Sequence, residues 1–432
     1  MTTDATKLSL AGSVSLGTGV MIGAGIFALV GQVSELAGSL MPVAFLVGAV
    51  VVGFSAYSYA TYSNANPSSG GIAMLLKAAY GPGVIAGSFS FFMYVSMVVA
   101  QSLLARTFGT YSLRPFDLAG SAVLVPLLGV AVIAVAAVVN VVGTGLVERS
   151  ATVTAAIKIA GISALAIAAI VATGASGFGN LVDRAESGGQ GQGVLGFLAG
   201  TTLCILAYKG FTTITNQGGD LRDPRTNLGR SITIAIALCA ALYLLLTVSI
   251  AASLPVDRIV EARDYALAAA AEPLFGPWGV WLTIALAVVA TFSGLLASIY
   301  SVSRLYDMLR DMNQAPELPF SVRHQSLLIT VGLAMVVTVF LDLSRIAAMG
   351  ALLYIAMDIA VHWGVIRHLS VDIGARRWVP AVAIVLDGVV LGSFVVVKLR
   401  TDPLTVGVGV AVAAAIVLSQ WVVVRRRDAR ST

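Results

Sequence analysis

The sequence predicts an all-α membrane protein with twelve transmembrane helices, and three observations lead to that fold class. The 432 residues are 58% hydrophobic and only 11% charged, and their mean hydropathy is +0.93. Soluble domains carry about 25% charged residues, so the composition excludes a water-soluble fold. Apolar runs of ~20 residues, the length that crosses a bilayer, recur along the whole chain between short polar segments.

The apolar runs form one uninterrupted series, which predicts a single transmembrane domain over residues 1–432. The first span should remain in the mature protein, because MTTDATKLSLAG lacks the basic region and cleavage site of a removable signal peptide. The predicted spans are 8–34, 41–64, 83–108, 119–141, 151–173, 193–216, 230–254, 277–303, 326–342, 345–367, 378–397 and 404–424.

Basic residues divide unequally between the two sides of the predicted membrane. With a cytoplasmic N-terminus, sixteen of the 26 Lys and Arg residues fall in inside segments, eight in outside segments and two within spans. Cytoplasmic loops collect basic residues, so both termini are predicted to be cytoplasmic in a multi-pass protein of the cell membrane, which we expect to be a bacterial inner membrane. Topology therefore explains the net charge of +5, and no nucleic-acid partner is predicted.

Glycines are concentrated in the first and sixth predicted spans, in GTGVMIGAGIF at 17–27 and GVLGFLAGTTLCILAYKGF at 193–211. Glycine is unfavourable inside a helix unless the backbone must bend, open or be approached closely, so both spans are predicted to be discontinuous. Discontinuous first and sixth helices indicate a five-plus-five inverted repeat, approximately 8–173 and 193–367, with two additional helices at 378–424.

A discontinuous helix exposes free N–H and C=O groups that can line a polar cavity and bind a zwitterion. Amides at 23–25 could hold a carboxylate at a half-helix N-terminus, while carbonyls of Met21, Leu206, Ala207 and Lys209 could hold an ammonium group. The predicted substrate-binding residues are Met21, Ile22, Gly23, Ala24, Gly25, Leu206, Ala207, Tyr208 and Lys209.

Close helix packing is the alternative role for these glycines, since small residues let membrane helices approach one another. Packing is the better interpretation for Gly17 and Gly19 and for Gly196 and Gly200. For IGAGIF at 22–27 we favour substrate binding, because its small residues exceed what one helix crossing needs. Tyr208, in the sixth span, would gate the site, stack on the substrate or simply form part of the wall.

Five stretches of the sequence resemble the amino acid, polyamine and organocation transporter superfamily. The glycine-rich signature of that family's first helix is matched by GVMIGAGIF. The other four stretches are NPSSGGIAMLLKAAYGP at 66–82, SATVTAAIKIAG at 150–161, AYKGFTTITNQGGDLRDPRTNLGRSI at 207–232 and SGLLASIYSVSRLYDMLRD at 293–311. The resemblance covers nearly the whole chain and implies an inverted-repeat transporter that moves an amino acid or amine by alternating access.

The same resemblance implies a coupling role for Lys158 in the fifth span. Sodium-coupled relatives hold a cation between helices one, five and eight, and proton-coupled members place a helix-five lysine there, which Lys158 matches. Ser298 on helix eight is the expected neighbour of its amine. The alternative is that Lys158 extends along its own helix to the membrane interface.

The chain also departs from the family pattern at several positions. The family usually has an acidic pair where this chain has Gly219 and Asp220, often an acid at Thr212, and a proline at Gly229. These departures leave the predicted fold unchanged and weaken assignment to a characterised subfamily.

Lys209 is a second charge near the centre of a span, where the family usually has an uncharged residue. A charge there is unfavourable unless it meets water or a partner. One hypothesis is that Lys209 binds a second anionic group of the substrate, and the other is that it faces the cytoplasmic vestibule and pairs with Asp220 or Asp358.

The remaining titratable residues within spans give no cofactor or metal prediction. Asp358 and His362 are one helical turn apart and share a face, so a hydrogen-bonded pair facing the bundle is expected rather than a proton relay. Asp387 is predicted to serve packing or assembly. Cys204 and Cys239 lack metal-ligand spacing and are predicted to be small apolar core residues.

The sequence favours transport over other membrane functions. It contains no HExxH, GxSxG or CxxC motif, so an enzyme is not predicted, and it contains no repeated filter motif of a channel. Two lysines near the predicted site would repel a polyamine. The predicted function is proton-coupled amino-acid symport, with an amino-acid or amine exchanger or an organic-anion carrier as the alternative; the expected partners are the amino acid, protons and the lipid bilayer.

Overall fold

The computed structural model describes the backbone of residues 7–142, 144–186, 193–315 and 324–431. Side chains are described throughout these ranges except at 24, 144–151, 175–186 and 427–431. Within the described residues no β-strand occurs, and a single isolated bridge joins Leu8 to Leu221. The all-α class is therefore confirmed.

The helices follow one another with short connections. They are α1 Leu10–Ala37, α2 Met41–Ala65, α3 Gly71–Tyr80, α4 Val84–Leu113, α5 Leu124–Val142, α6 Thr144–Glu186, α7 Gly193–Tyr208, α8 Thr212–Thr215, α9 Pro224–Ser253, α10 Val256–Glu261, α11 Ala266–Asp311, α12 Gln325–Phe340, α13 Leu343–Gly364, α14 Trp378–Thr401 and α15 Pro403–Ser431. Single 3₁₀ turns occur at Gly38–Leu40, Arg114–Phe116 and Lys209–Phe211, and a π-helical turn follows α13 at Val365–Leu369.

Ten segments of the described chain are long and apolar enough to cross a membrane. One of them, Leu10–Ala65, contains both α1 and α2, and α12 is a shorter apolar helix of 16 residues. Each predicted span overlaps a helix, so the chain is a multi-pass helical membrane protein. The number twelve and the inverted repeat stay predictions.

Two long helices bend at a glycine with positive φ. Gly174 in α6 has φ 63° and Gly276 in α11 has φ 59°, and both take a backbone conformation that favours glycine because it lacks Cβ. The predicted spans end at 173 and begin at 277. The glycines thus separate each apolar span from a helical extension.

Helix α1 lies at the centre of the bundle and packs against α6, α7, α9 and α11. Three predicted spans each contact the span that comes five places later: α1 contacts α7, α2 contacts α9 and α4 contacts α11. Such pairing is what an inverted repeat would give.

Lipid-facing surfaces are provided by the peripheral helices. Large apolar side chains on α5, α14 and α15 point outward, and Val135, Val385 and Leu418 are 53%, 63% and 62% exposed. Hydrocarbon around these side chains would remove the unfavourable exposure to water.

The predicted interruption of the first helix is wrong, because α1 is helical without a break from Leu10 to Ala37. Its glycines instead allow neighbouring helices to approach α1 closely. A Cβ atom added at Gly23 would lie 2.7 Å from the carbonyl oxygen of Ala290, and one at Gly25 would lie 2.9 Å from that of Ala207. Neighbouring backbones therefore occupy the space that side chains would need, which is the packing role of small residues in membranes.

The sixth predicted span does depart from α-helical geometry, by tightening into the 3₁₀ turn Lys209–Phe211 between α7 and α8. Three threonine hydroxyls donate to carbonyl oxygens in this segment, from Thr212 to Lys209 at 2.8 Å, from Thr213 to Gly210 at 2.7 Å and from Thr215 to Thr212 at 2.7 Å. Side-chain hydroxyls thus satisfy carbonyls near the change of helix type.

Candidate functional site

A small cavity lies between α1, α4, α7 and α11 beside the 3₁₀ turn. Its volume is about 20 Å³, room for one water molecule. The lining residues are Val20, Met97, Ala100, Leu103, Leu206, Ala207, Lys209, Gly210, Thr212, Thr213 and Ser298. Four of the residues singled out from the sequence line it, namely Leu206, Ala207, Lys209 and Ser298. A whole amino acid does not fit without movement of the surrounding helices.

A second cavity of about 30 Å³ adjoins the first, and Val20 and Thr213 line both. It extends toward the start of α1 and the end of α11. There Arg304 Nη1 lies 2.7 Å from Asp220 Oδ2, and both side chains are about half exposed. The two cavities follow one path from the bundle centre to this ion pair, on the side predicted to be cytoplasmic.

The opposite end of α1 is closed by polar contacts. Arg263 Nη1 lies 3.1 Å from Glu35 Oε2, and the Gln32 side-chain amide donates to Asp264 Oδ1 at 2.9 Å. Desolvation by burial raises the pKa of the Asp264 carboxyl above its usual range, against the opposing effect of Arg263. These contacts join the end of α1 to the connection between α10 and α11 on the side predicted to be extracellular.

Lys158 is fully buried and faces the bundle between α1, α6 and α11. Its amine donates to the carbonyl oxygen of Gly19 at 3.1 Å and to Ser293 Oγ at 2.9 Å. The side chain does not extend to the membrane interface, so that alternative does not apply to this structure. The serine that contacts the amine is Ser293, not the predicted Ser298. Among the described residues Lys158 forms no ion pair.

Lys209 is also buried and is held by a single residue of α4. Its amine donates to the backbone oxygen of Ser96 at 2.8 Å and to Ser96 Oγ at 2.7 Å, and it lies 5.6 Å from the centre of the Tyr354 ring. The hypothesis that Lys209 pairs with Asp220 or Asp358 is wrong for this structure, because Asp220 pairs with Arg304 and Lys209 points toward α4. The hypothesis of a second anionic group on the substrate stays open.

The hydroxyl of Tyr243, on α9, contacts two of the carbonyl oxygens that were predicted to hold an ammonium group. Its hydroxyl donates to Met21 O at 2.6 Å and lies 3.4 Å from Ala207 O. A Cβ atom at Gly25 would collide with the same hydroxyl. In this conformation the first and sixth spans are thus joined through Tyr243 and leave no open peptide groups for a ligand at Met21.

Comparison with known proteins shows the family of this chain. The family described as amino acid permease matches residues 8–418, nearly the entire chain. The chain belongs to the amino acid permease family. It is therefore a membrane amino-acid transporter, as the family resemblance of the sequence predicted.

Individual relatives of this permease come from bacteria, archaea and plants. The inner membrane transport protein YbaT of Escherichia coli strain K12 is 30% identical over 83% of each chain. An uncharacterised protein of Methanocaldococcus jannaschii is 26% identical over 90% of this chain and 88% of its own. The vacuolar cationic amino acid transporter 4 of Arabidopsis thaliana is 28% identical over 71% of this chain and 53% of its own.

The other predicted binding residues of the permease are buried within the α1 and α7 contact. Ile22 has 0% exposure, and the hydroxyl of Tyr208 donates to Phe45 O at 3.2 Å while its ring packs on Tyr243. Tyr208 is a buried packing residue in this conformation and lines neither of the two cavities. Gly23 faces α11, and the side chain of Ala24 lies outside the described part of the structure.

Two aspartates and a histidine within the predicted spans of the permease lie together. His362 Nε2 is 3.4 Å from Asp358 Oδ1 on one face of α13. The nitrogen has no hydrogen-bond partner among the described residues, so the expected hydrogen-bonded pair does not form in this structure. Asp387 is also fully buried and lies 3.6 Å from the same nitrogen. Its position is in the interior between α13 and α14, where packing places it against other polar groups.

Sequence reasoning missed three contact residues, namely Ser96, Tyr243 and Ser293. Each lies on a different helix from the group it contacts, and of the three only Ser293 falls in a stretch that resembles the family, at its first position. A search for hydroxyl residues on helices expected to face the two lysines would have found the serines. Tyr243 had no comparable signal in the sequence.

Proposed function

We propose that this permease moves an amino acid across the cell membrane by alternating access and that protonation of Lys158 couples the movement to a proton gradient. The relative from Escherichia coli is an inner membrane transport protein by name, which supports the same location here. The observation that carries the proposal is the position of the Lys158 amine, which is buried between three helices and whose hydrogen-bond acceptors among the described residues are neutral.

A buried amine without a counter-charge is costly to keep protonated in a dry environment. Gly19 O and Ser293 Oγ compensate part of that cost, and both belong to helices that also line the central cavities. Movement of α1 relative to α11 would therefore change the environment of the amine. A conformational change that admits water favours protonation of the amine. Closure of the helices around the amine favours release of the proton.

The substrate would occupy the central cavity after it has widened. Leu206, Ala207 and Lys209 provide backbone oxygens and one amine along a path that ends at the Arg304–Asp220 ion pair. Because the volume is that of one water, the described conformation is closed around the site. Binding would separate α1 from the 3₁₀ turn and release peptide groups now held by Tyr243.

Lys209 favours a neutral or acidic substrate side chain over a cationic one. Its amine has no acidic partner among the described contacts, so a substrate cation near it would be repelled. This observation also supports the second candidate function, an organic-anion carrier or exchanger on the same fold. The plant relatives named for cationic amino acids therefore differ in the expected preference.

The test is counterflow and uptake in proteoliposomes that contain the purified full-length permease. Under an imposed pH gradient, net uptake of labelled alanine and glutamate should be saturable, with competition by lysine and arginine weaker than by acidic and neutral amino acids. Equal uptake with and without the pH gradient would reject proton coupling. Counterflow of an organic anion without any amino-acid competition would favour the second candidate.

A further inference from the structure

Three helices place a polar cluster deep in the hydrophobic part of the permease, away from the transport cavities. Asp358 and His362 of α13 and Asp387 of α14 all have 0% exposure. His362 Nε2 lies 3.4 Å from Asp358 Oδ1 and 3.6 Å from Asp387 Oδ2. One nitrogen or oxygen from each residue lies within 4.8 Å of the others, so the three side chains converge on one point.

Groups that face away from this point are held by α2. His362 Nδ1 and Ser58 Oγ are 2.9 Å apart, and Ser55 Oγ donates to Asp358 Oδ2 at 2.7 Å. Asp358 Oδ1, the oxygen nearest to His362 Nε2, also accepts a hydrogen bond from the Tyr59 hydroxyl. By contrast, His362 Nε2 and both oxygens of Asp387 have no hydrogen-bond partner among the described residues. Buried polar atoms without a partner are rare and unfavourable.

We propose that Asp358, His362 and Asp387 bind a first-row divalent metal ion of the Zn²⁺ type that ties α14 to α2 and α13. The distances support this over a direct ion pair. Charge-assisted hydrogen bonds between nitrogen and oxygen are about 2.7–2.9 Å long, shorter than either separation from His362 Nε2. Ligands that surround an ion tetrahedrally at about 2.0–2.2 Å are about 3.3–3.6 Å apart, close to the two separations found here.

The chemistry of the cluster fits the same class of ion. Imidazole nitrogen with carboxylate oxygen suits zinc and its neighbours, whereas magnesium and calcium prefer oxygen alone. Two carboxylates balance the charge of a divalent ion, which removes a net charge from the bilayer interior. A hydrogen bond from His362 Nδ1 to Ser58 leaves the Nε2 lone pair for the metal, and such outer hydrogen bonds orient metal ligands in proteins.

The position of the cluster indicates a structural ion. Helix α14 lies outside the predicted repeat and packs against α2, α7 and α13. Tyr59, which donates to Asp358, also packs on Phe211 of the 3₁₀ turn with ring centres 5.4 Å apart. Because all three ligands are fully buried, the ion would enter during folding and exchange slowly.

The first experiment measures bound metal in the full-length permease, purified in detergent with an affinity tag that contains no histidine. Cells grown with added Zn²⁺ should yield about one metal ion per chain by mass spectrometry. Asp387→Asn and His362→Gln should each lose this ion. The matched control is Ser393→Ala, which changes a polar residue on the same helix whose hydroxyl bonds only its own helix at Val389 O.

The expected result is metal in the wild type and in Ser393→Ala, together with a thermal unfolding temperature that falls when a chelator removes the ion and recovers with Zn²⁺. Wild-type protein without bound metal, and without a Zn²⁺-dependent change in unfolding temperature, would overturn the proposal. Equal metal content in wild type, Asp387→Asn and His362→Gln would overturn it as well.

X-ray absorption at the metal edge of the wild type remains decisive even where a variant fails to fold. The proposal requires a first shell of nitrogen and oxygen at about 2.0–2.2 Å. A sulfur shell at about 2.3 Å would place the ion at Cys204 or Cys239 and overturn the assignment. Neither measurement depends on transport, so failure of the proposed coupling mechanism leaves the outcome unaffected.

Discussion

The two lysines inside the bundle of this permease are held by the same kinds of group but lie in different surroundings. Lys158 donates to Gly19 O and to Ser293 Oγ, and thus joins three helices. Lys209 donates to the backbone oxygen and the hydroxyl of one residue, Ser96, and lies on the central cavity. Relative movement of α1 and α11 would therefore change the contacts of Lys158, whereas Lys209 is held by one residue of α4 beside the central cavity.

Under the proposed function, two charges that look alike in the sequence would have separate roles. A proton site must sense the conformational change, and contacts from two other helices provide that sensitivity. A selectivity residue must keep its position during the cycle, and attachment to one residue provides that constancy. The predictions below test the separation of roles, beginning with the largest effect.

Lys158→Ala should have the largest effect. Uptake driven by a pH gradient should fall by about 100-fold, toward the upper end of typical coupling between two sites, while counterflow without a gradient persists. The measurement is initial uptake in proteoliposomes at matched protein content, with Lys77→Ala at the end of α3 as the control. Retained dependence on the pH gradient in Lys158→Ala would remove the coupling role.

Lys209→Met should change selectivity and leave coupling intact. Loss of a hydrogen bond to a charged group corresponds to about 1.5–3 kcal/mol, so the preference for acidic over cationic amino acids should fall by about tenfold or more. Competition against a labelled neutral amino acid measures this ratio. An unchanged ratio, or loss of the pH-gradient effect, would contradict the division between the two lysines.

Ser293→Ala and Ser96→Ala form a matched pair with smaller effects. Each removes one neutral acceptor and leaves a backbone oxygen, so changes of about two- to tenfold are expected. Ser293→Ala should reduce gradient-driven uptake, whereas Ser96→Ala should alter only substrate competition. Identical effects of the two variants on both measurements would show that the lysines do not act separately.

Asp220→Asn should have a modest effect on the rate of counterflow. The ion pair with Arg304 is about half exposed, and exposed pairs contribute about 0.2–1 kcal/mol, so the change should stay below about fivefold. High salt should reduce the difference between variant and wild type, because it screens the wild-type pair. A difference that salt leaves unchanged would exclude an electrostatic origin.

Asp402→Asn should have the smallest effect and concerns a partly buried charge between α14 and α15. Hydrogen bonding from the Thr405 hydroxyl, with the Arg345 side chain, holds the pKa of Asp402 below its usual range. The ionised carboxylate therefore stabilises the protein above the usual aspartate pKa, and this contribution is lost as pH falls through the lower folded value. Thermal unfolding of the variant should depend less on pH at the acid end; an identical acid limb would contradict this linkage.

The course of the chain through the membrane was predictable because hydrophobicity is a local property. Every predicted span overlaps a helix, and the ends at 173 and 277 coincide with glycines of positive φ. The prediction that α1 is interrupted was wrong. Its glycines indicated either an opening or a close contact, and only the position of Ala207 and Ala290 against them decided for contact.

The site was predictable in part. The sequence indicated that Lys158 and Lys209 matter, because a charge within an apolar span is costly. It did not indicate that Ser293 and Ser96 would hold the two amines, since those contacts join residues 135 and 113 positions apart. Tyr243 likewise acts through a contact with no local signal.

By itself the sequence determined an all-helical membrane protein, its amino-acid permease family and the two charges that need an explanation. The tertiary structure alone decided that α1 is an unbroken helix and which serine contacts each lysine. It also decided that Asp387 lies beside Asp358 and His362. The physical reason is the distance along the chain over which each interaction acts. Burial of apolar surface and helix geometry act over a few residues, whereas satisfaction of a buried polar group depends on whichever helix lies opposite.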